Sequence, residues 1–187
     1  PQAVGEVVAQ IAEHFSDVVP ADAPIGITVP GVVQHGVVRF VGNIDQSWVD
    51  FDGDTLFEEL LERSVHVVND GDAAGVAEVR YGAGRDEDGL VLTTTLGTGI
   101  GIGLVYNGVL IPNAELGHIE LDGHNAESRA AASAKEREDL SYEAWATKRL
   151  QPYYRHLENI LWPDLFIVGG GISRKSEKFL PLLDLRT

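Results

Sequence analysis

The stretch TTTLGTGIGIGLVYNGVL, Thr93 to Leu110, decides how the rest of the chain is read. Gly97, Gly99, Gly101 and Gly103 occupy alternate positions in a run otherwise rich in Thr, Ile, Leu and Val. That residue set is a strand signal, yet glycine inside a strand costs backbone entropy and packs nothing. The residues alone leave two explanations open. Either the chain turns tightly here, or its backbone lies against something bulky and anionic, such as a phosphate.

Working outward, Leu90–Ile111 reads as strand, glycine turn, strand, turn, strand. Upstream, VHVVND (Val65–Asp70) is a strand ending in two polar residues and followed by a helical DAAGVAEVRYG. Downstream, a long helical stretch from about Ser141 to Trp162 carries a bend-inducing Pro152, and DLFIVGGG (Asp164–Gly171) is a strand running into glycines before a final amphipathic segment. Nearer the start, IGITVP (Ile25–Pro30) is a short buried strand, and VVQHGVVRF (Val32–Phe40) is a hairpin about Gly36. Asp54 is placed to cap a helix through LFEELLER, and Val4, Val7, Val8, Ile11, Ala12 and Phe15 form one apolar helical stripe. Strands alternate with helices, which gives an α/β class. Ligands of such sheets gather beyond the carboxyl ends of strands, where this chain carries NDGD at 69–72, GTG at 97–99 and GGG at 169–171.

The 187 residues suffice for one sizeable domain or two smaller lobes, and 44% hydrophobic with 23% charged residues is an ordinary globular composition. No apolar run approaches the roughly 18–20 residues of a membrane span, and no secretory signal opens the sequence. Cysteine is absent, which removes disulfides and thiolate metal sites and is compatible with a cytoplasmic setting. With 14 basic and 29 acidic side chains the net charge is −15. That balance disfavours unaided nucleic-acid binding and requires a local basic patch for any polyanionic ligand.

ITVPGVV, VVNDGDAAG, TLGTGIGIGLVYNGVLIPNAELGHIELDG, AESRAAASAKE and WPDLFIVGGGISRK together resemble the polyphosphate glucokinases of the ROK family (repressor, open reading frame, kinase). The resemblance spans essentially the whole chain. It implies the two-lobed actin-like, ribonuclease-H-like sugar kinase fold, with residues 1–79 the remainder of the smaller lobe, ending at the catalytic strand, and 80–187 the larger lobe with the sugar and phosphate-donor motifs. It further implies phosphoryl transfer from inorganic polyphosphate or ATP to the 6-hydroxyl of glucose, Mg²⁺ held with the donor, and a homodimer. The family's DxGGTxxK phosphate hairpin does not occur in these residues, nor does a further carboxyl-terminal helix. The 187 residues by themselves are therefore expected not to turn over. Within the same resemblance stand a strictly ATP-dependent or mannose-accepting kinase and, from a different class, a sugar-responsive repressor, which would need a basic winged helix.

Each candidate residue has a functional and a structural reading. Asp70 matches the family's catalytic base; by position it is equally a helix cap. Asp72 reads as a cap or first-turn charge. Glu115 and His118 of ELGH, with Glu127 as second glutamate and Glu120 its rival, match the residues that fix glucose hydroxyls. Gly31, Asn43 and Asn69 match sugar-pocket positions, whereas Trp48 reads as packing. Gly97, Thr98 and Gly99 resemble the phosphate-donor turn, where backbone N–H groups meet phosphate and a side chain would hold it away. Gly169, Gly170 and Gly171 resemble the adenosine motif, a close-approach loop before a helix, or are a plain strand-to-helix turn. Gly101 and Gly103 read as strand packing. DGHNAES replaces the family's cysteine-rich zinc loop, so the resemblance assigns His118 no zinc. Lys135, Arg137, Lys148, Arg149, Arg155, Arg174, Lys175 and Lys178 all fall beyond residue 130, and SRKSEK beside GGG is the preferred polyphosphate-lining cluster.

Overall fold

Chain contacts separate Pro1–Asp70 from Gly71–Thr187 in the computed structural model, which describes residues 1–42 and 44–187. The first unit runs α1 (Gln2–His14), β1 (Ile25–Val29), β2 (Gly31–Gln34), β3 (Val37–Val41), β4 (Phe51–Asp52), α2 (Gly53–Leu61) and β5 (Val65–Asn69). Strands β1 and β5 pair in parallel, from Ile25 opposite Val65 to Val29 opposite Asn69, while β2, β3 and β4 form an antiparallel sheet. His35 at φ 52° and Gly36 at φ 77° make the two-residue turn between β2 and β3. Two consecutive left-handed residues match the twist of the flanking strands, so the expected hairpin forms. Val29, Val38, Val41, Trp48, Phe57, Val65 and Val67 make the core. Trp48 lies against Phe51 and Phe57, with ring centroids 6.0 and 6.4 Å away, which is a packing role.

Two local expectations are corrected. The cap of α2 is Asp52, whose carboxylate accepts from the Thr55 N–H at 3.0 Å and the Thr55 hydroxyl at 2.8 Å. Asp54 lies one residue inside the helix and instead accepts the Val67 N–H of β5 at 2.7 Å, joining helix to strand. In α1 the face that packs is Gly5, Val8 and Ala12, not the full apolar stripe. Val4, Val7, Ile11 and Phe15 stay 46% to 53% exposed. Gly5 is buried because a side chain there would come within 2.5 Å of the Leu60 methyl on α2; a small residue sets the helix–helix approach, and Val8 packs on the core beside it.

The second unit contains α3 (Asp70–Tyr81, whose first residue closes the first unit), β6 (Leu90–Leu96), β7 (Ile100–Tyr106), β8 (Val109–Ile111), β9 (Glu120–Leu121), β10 (His124–Asn125), α4 (Glu127–Ala130) and α5 (Ala132–Arg137). It continues with α6 (Tyr142–Trp145), a π turn (Ala146–Leu150), α7 (Gln151–Leu161) and β11 (Leu165–Gly169). The sheet order is β11-β6-β7-β8, with β11 parallel to β6 and the other pairs antiparallel. Helix α3 packs within the second unit for a physical reason. A side chain on Gly75 would meet the Gly103 Cα at 2.7 Å, so α3 rests backbone to backbone on β7. This accounts for one of the four alternating glycines.

The helical run after Ser141, whose hydroxyl caps α6 by accepting the Ala144 N–H at 3.0 Å, does not break at Pro152. Proline has no N–H for the carbonyl four residues back, and its ring needs room there. The wider π turn immediately before α7 supplies that room. Against the sheet, Trp145, Leu150, Tyr153, Tyr154, Leu157 and Phe179 are fully buried. The Tyr154 hydroxyl shares a 2.6 Å hydrogen bond with Thr94, and burial pushes its phenol well above the ordinary range. The segment after GGG is a run of 3₁₀ turns, Gly171–Lys178, with non-helical backbone at Lys175, rather than the expected amphipathic α-helix.

Glu158 of α7 is 1% exposed yet charged. Burial pushes its carboxyl up, but this is outweighed by the N–H groups of Arg186 and Thr187 and the charges of Arg186 and Arg155, which hold it below the usual carboxylate value. A folded-state value below the unfolded one stabilises above the ordinary carboxylate range, and the contribution is lost as pH falls through the depressed value. Glu158→Gln is therefore expected to flatten the acid limb of the stability profile. Denaturant titrations from neutral to acid pH check this, and identical acid limbs for parent and variant would contradict it.

Candidate functional site

In the first unit, β5 delivers Asn69 and Asp70 to the strand end. Asn69 is buried, and its amide donates to the Gly31 carbonyl at 2.9 Å, tying the end of β5 to the start of β2. A Cβ on Gly31 would overlap the Phe40 carbonyl oxygen, so the β2–β3 pairing itself demands glycine there. Asp70 is the exposed first residue of α3. Asn43 lies outside the described residues.

In the second unit, Asp72 is 4% exposed and reaches out of α3 to accept the Asn113 N–H at 2.8 Å. That bond anchors the segment leading into ELGH, a role that neither the cap nor the first-turn reading included. His118 stands between two carboxylates, with Nε2 3.5 Å from Glu115 and Nδ1 3.7 Å from Glu127. The three side chains are between 25% and 36% exposed, held yet open to a small molecule. Asn125 of β10 fixes the imidazole. Its carbonyl oxygen accepts the Glu127 N–H at 3.1 Å, which orients the amide so that its NH₂ donates to His118 Nδ1 at 3.0 Å. A neutral His118 then carries its proton on Nε2, toward Glu115. Glu120 lies exposed opposite Asn125 in the β9–β10 pair.

The GTG turn closes β6 onto β7, with Leu96 opposite Ile100. Glu127 accepts the Ile100 N–H at 3.0 Å, and a Cβ on Gly99 would collide with that same carboxylate. Ser133 of α5 takes the other side: its N–H donates to the Gly97 carbonyl at 3.0 Å and its hydroxyl to the Thr98 carbonyl at 2.6 Å. AESRAAAS thus grips the turn at both ends. Its carbonyls are engaged, and the Cβ position of Gly97 meets nothing within 4 Å. Gly170, at φ 84°, packs its backbone on that of Leu96; a Cβ would lie 2.5 Å from the Leu96 carbonyl oxygen. The GGG and GTG segments are therefore neighbours, and Gly171, like Gly97, has open space where a side chain would stand.

Sequence reading missed Asp72, Asn125 and Ser133 as positioning residues. Only Asn125 left a signal, standing two residues before Glu127 within the motif. Of the expected basic cluster, Lys178 lies over the Tyr142 ring at 5.5 Å, and Lys135 also meets that ring at 4.4 Å. Among the described residues no three His, Asp or Glu side chains converge as a metal cage, and no helix is long and apolar enough to cross a membrane.

The sequence profile of the ROK family matches residues 1–137. Polyphosphate glucokinase of Mycobacterium tuberculosis is 50% identical over all of this chain, which spans 69% of that protein's length. The crystal structure of an inorganic polyphosphate/ATP-glucomannokinase from Arthrobacter sp. strain KM superposes with a TM-score of 0.91 at 49% identity, over 98% of this chain and 74% of that one. A ROK transcriptional regulator, a homologue of the E. coli MLC protein, shares the fold with a TM-score of 0.79 at 19% identity, over 96% of this chain and 58% of that one.

Proposed function

Since the chain belongs to the ROK family, we propose that it serves a glucokinase that transfers a phosphoryl group from inorganic polyphosphate, and from ATP, to the 6-hydroxyl of glucose. Glu127 carries this reading, because one carboxylate serves two tasks: Oε2 holds the first N–H after the GTG turn, and Oε1 faces His118. A side chain that only recognised sugar would have no need to hold the GTG turn as well. Whole-chain identity of 50% to a polyphosphate glucokinase supports the same reading. The fold alone does not discriminate, because a regulator shares it.

In this reading Glu115, His118 and Glu127 hold glucose hydroxyls. Carboxylates accept from two hydroxyls at once, and the Nε2–H of His118 donates. Asp70 accepts the proton of the 6-hydroxyl as its oxygen attacks the donor's terminal phosphorus and the bond to the leaving phosphate breaks. The open faces of Gly97 and Gly171 leave room for phosphate oxygens beside the backbone, although the Gly97 N–H itself is held by the Gly99 carbonyl at 3.0 Å. Mg²⁺ fits as an ion carried by the donor phosphates, since such sites take only one or two protein carboxylates; it supplies neutralisation of phosphate charge when bound.

A coupled assay for glucose 6-phosphate, run with polyphosphate and with ATP on a full-length protein that also carries the DxGGTxxK hairpin, tests the proposal. Glucose binding without product from either donor would overturn it in favour of a sugar sensor. Glu115→Gln and His118→Ala are each expected to raise the glucose KM by about 5- to 150-fold, the effect of roughly 1–3 kcal/mol per unpaired polar group. An effect confined to the donor KM would refute their placement on the sugar.

A further inference from the structure

Beside the β9–β10 pair lies a cavity of about 40 Å³ lined by Asp122, Asn125, Arg129, Lys148, Arg149 and Tyr153, among others. That is several times the space a water requires. Three of these residues are cationic against one carboxylate, in a chain whose net charge is −15. The concentration of positive charge is the local patch that an anion needs here. Arg149 is held by Glu138, whose carboxylate accepts from its Nη2 at 2.8 Å. Its Nε–H is buried and meets no acceptor among the described residues. The ion pair fixes the guanidinium in the cavity wall, and a fixed guanidinium is a strong partner for an oxyanion. Lys148 and Arg149 both stand on the π turn, a rare element that recurs at functional sites. Asn125 belongs to both places, lining the cavity and bonding His118.

We propose that this cavity binds a phosphate group at Arg129, Lys148 and Arg149, outside the GTG and GGG turns. Two sources share that chemistry, free inorganic phosphate and the distal units of a polyphosphate donor; the second rests on the kinase reading and the first does not.

Calorimetric titration with inorganic phosphate and with long-chain polyphosphate, beside KM values for ATP and polyphosphate, tests the proposal, with parent and variants all in a full-length protein that also carries the DxGGTxxK hairpin. Lys148→Glu, at an exposed side chain, and Arg149→Gln are each expected to weaken phosphate binding about 10-fold or more and to leave the KM for ATP unchanged. Melting curves confirm that Lys148→Glu folds as the parent does. A parallel rise in the KM for polyphosphate identifies the donor's distal units as the ligand. Weakened phosphate binding with an unchanged KM for polyphosphate identifies free phosphate. A parent that binds phosphate in this variant-sensitive way but phosphorylates nothing would remove the kinase reading and uphold the site. A parent that binds neither probe, or variants that bind both as the parent does, would overturn the site.

Discussion

Asp70→Asn is expected to lower kcat by about 10²–10⁴-fold, the usual contribution of a general base, while the glucose KM changes far less. Asparagine keeps the size and much of the hydrogen bonding but cannot take a proton. The backbone at this position is secured independently of the carboxylate. Asn69 is buried on the Gly31 carbonyl, and Val29 pairs with Asn69 at the end of β5. A loss of turnover without a loss of stability therefore reports chemistry rather than misfolding. Near-normal turnover at saturating substrates would exclude Asp70 as the base and return it to the role of a helix-terminal residue.

Gly103→Ala is expected to destabilise the protein by about 2–3 kcal/mol or more, although it adds one methyl group. The new Cβ would lie 2.5 Å from the Gly75 Cα, 2.7 Å from the Gly71 carbonyl oxygen and 2.8 Å from the Gly75 nitrogen. All three are backbone atoms of α3, so no side chain can swing aside and the helix must lift. Lifting it strains the Asp72–Asn113 bond and loosens the approach to ELGH, so the glucose KM should rise with the instability. Gly101→Ala, two positions earlier, is the control. Its Cβ collides with the Thr95 hydroxyl and otherwise approaches only the Gly71 Cα at 3.6 Å. A hydroxyl can rotate, and that variant should cost much less. Equal denaturation midpoints for the two variants would show that the backbone contact is not rigid.

These contrasts mark where sequence is readable. The β2–β3 turn was legible because left-handed backbone at His35 and Gly36 is a local requirement, met within the residues that announce it, and the β6–β7 turn was legible from its glycines. ELGH and Glu127 were legible as a pattern, and the structure gathers them about His118. Periodicity misjudged α1 because it weighs apolar surface, whereas the packed face is set by the smallness of Gly5. Asp52 and Asp54 are equally good caps by type, and only the position of the Val67 N–H separates them. Asp72, Ser133 and Asn125 act through partners 41, 35 and 7 residues away respectively. For Asp72 and Ser133 no neighbouring residue announces such a partner. The GGG segment became 3₁₀ turns rather than α-helix, so any anion there meets open glycine backbone, not the end of a long helix dipole.

The grip of Glu127 and Ser133 on the GTG turn has a consequence for the order of events during folding. Strands β6 and β7 are adjacent in sequence and can zip together on the microsecond scale of a hairpin. The shape of the turn between them depends on groups 27 and 35 residues downstream, whose arrival costs loop-closure entropy and comes later. A nascent chain that has emerged only as far as β8 would hold both strands and an unshaped loop between them. The turn acquires its final form when residues 127–133 dock, in the same step that brings Glu127 to His118. The two halves of the site would thus mature together, and a folding intermediate able to grip phosphate but not sugar should not accumulate.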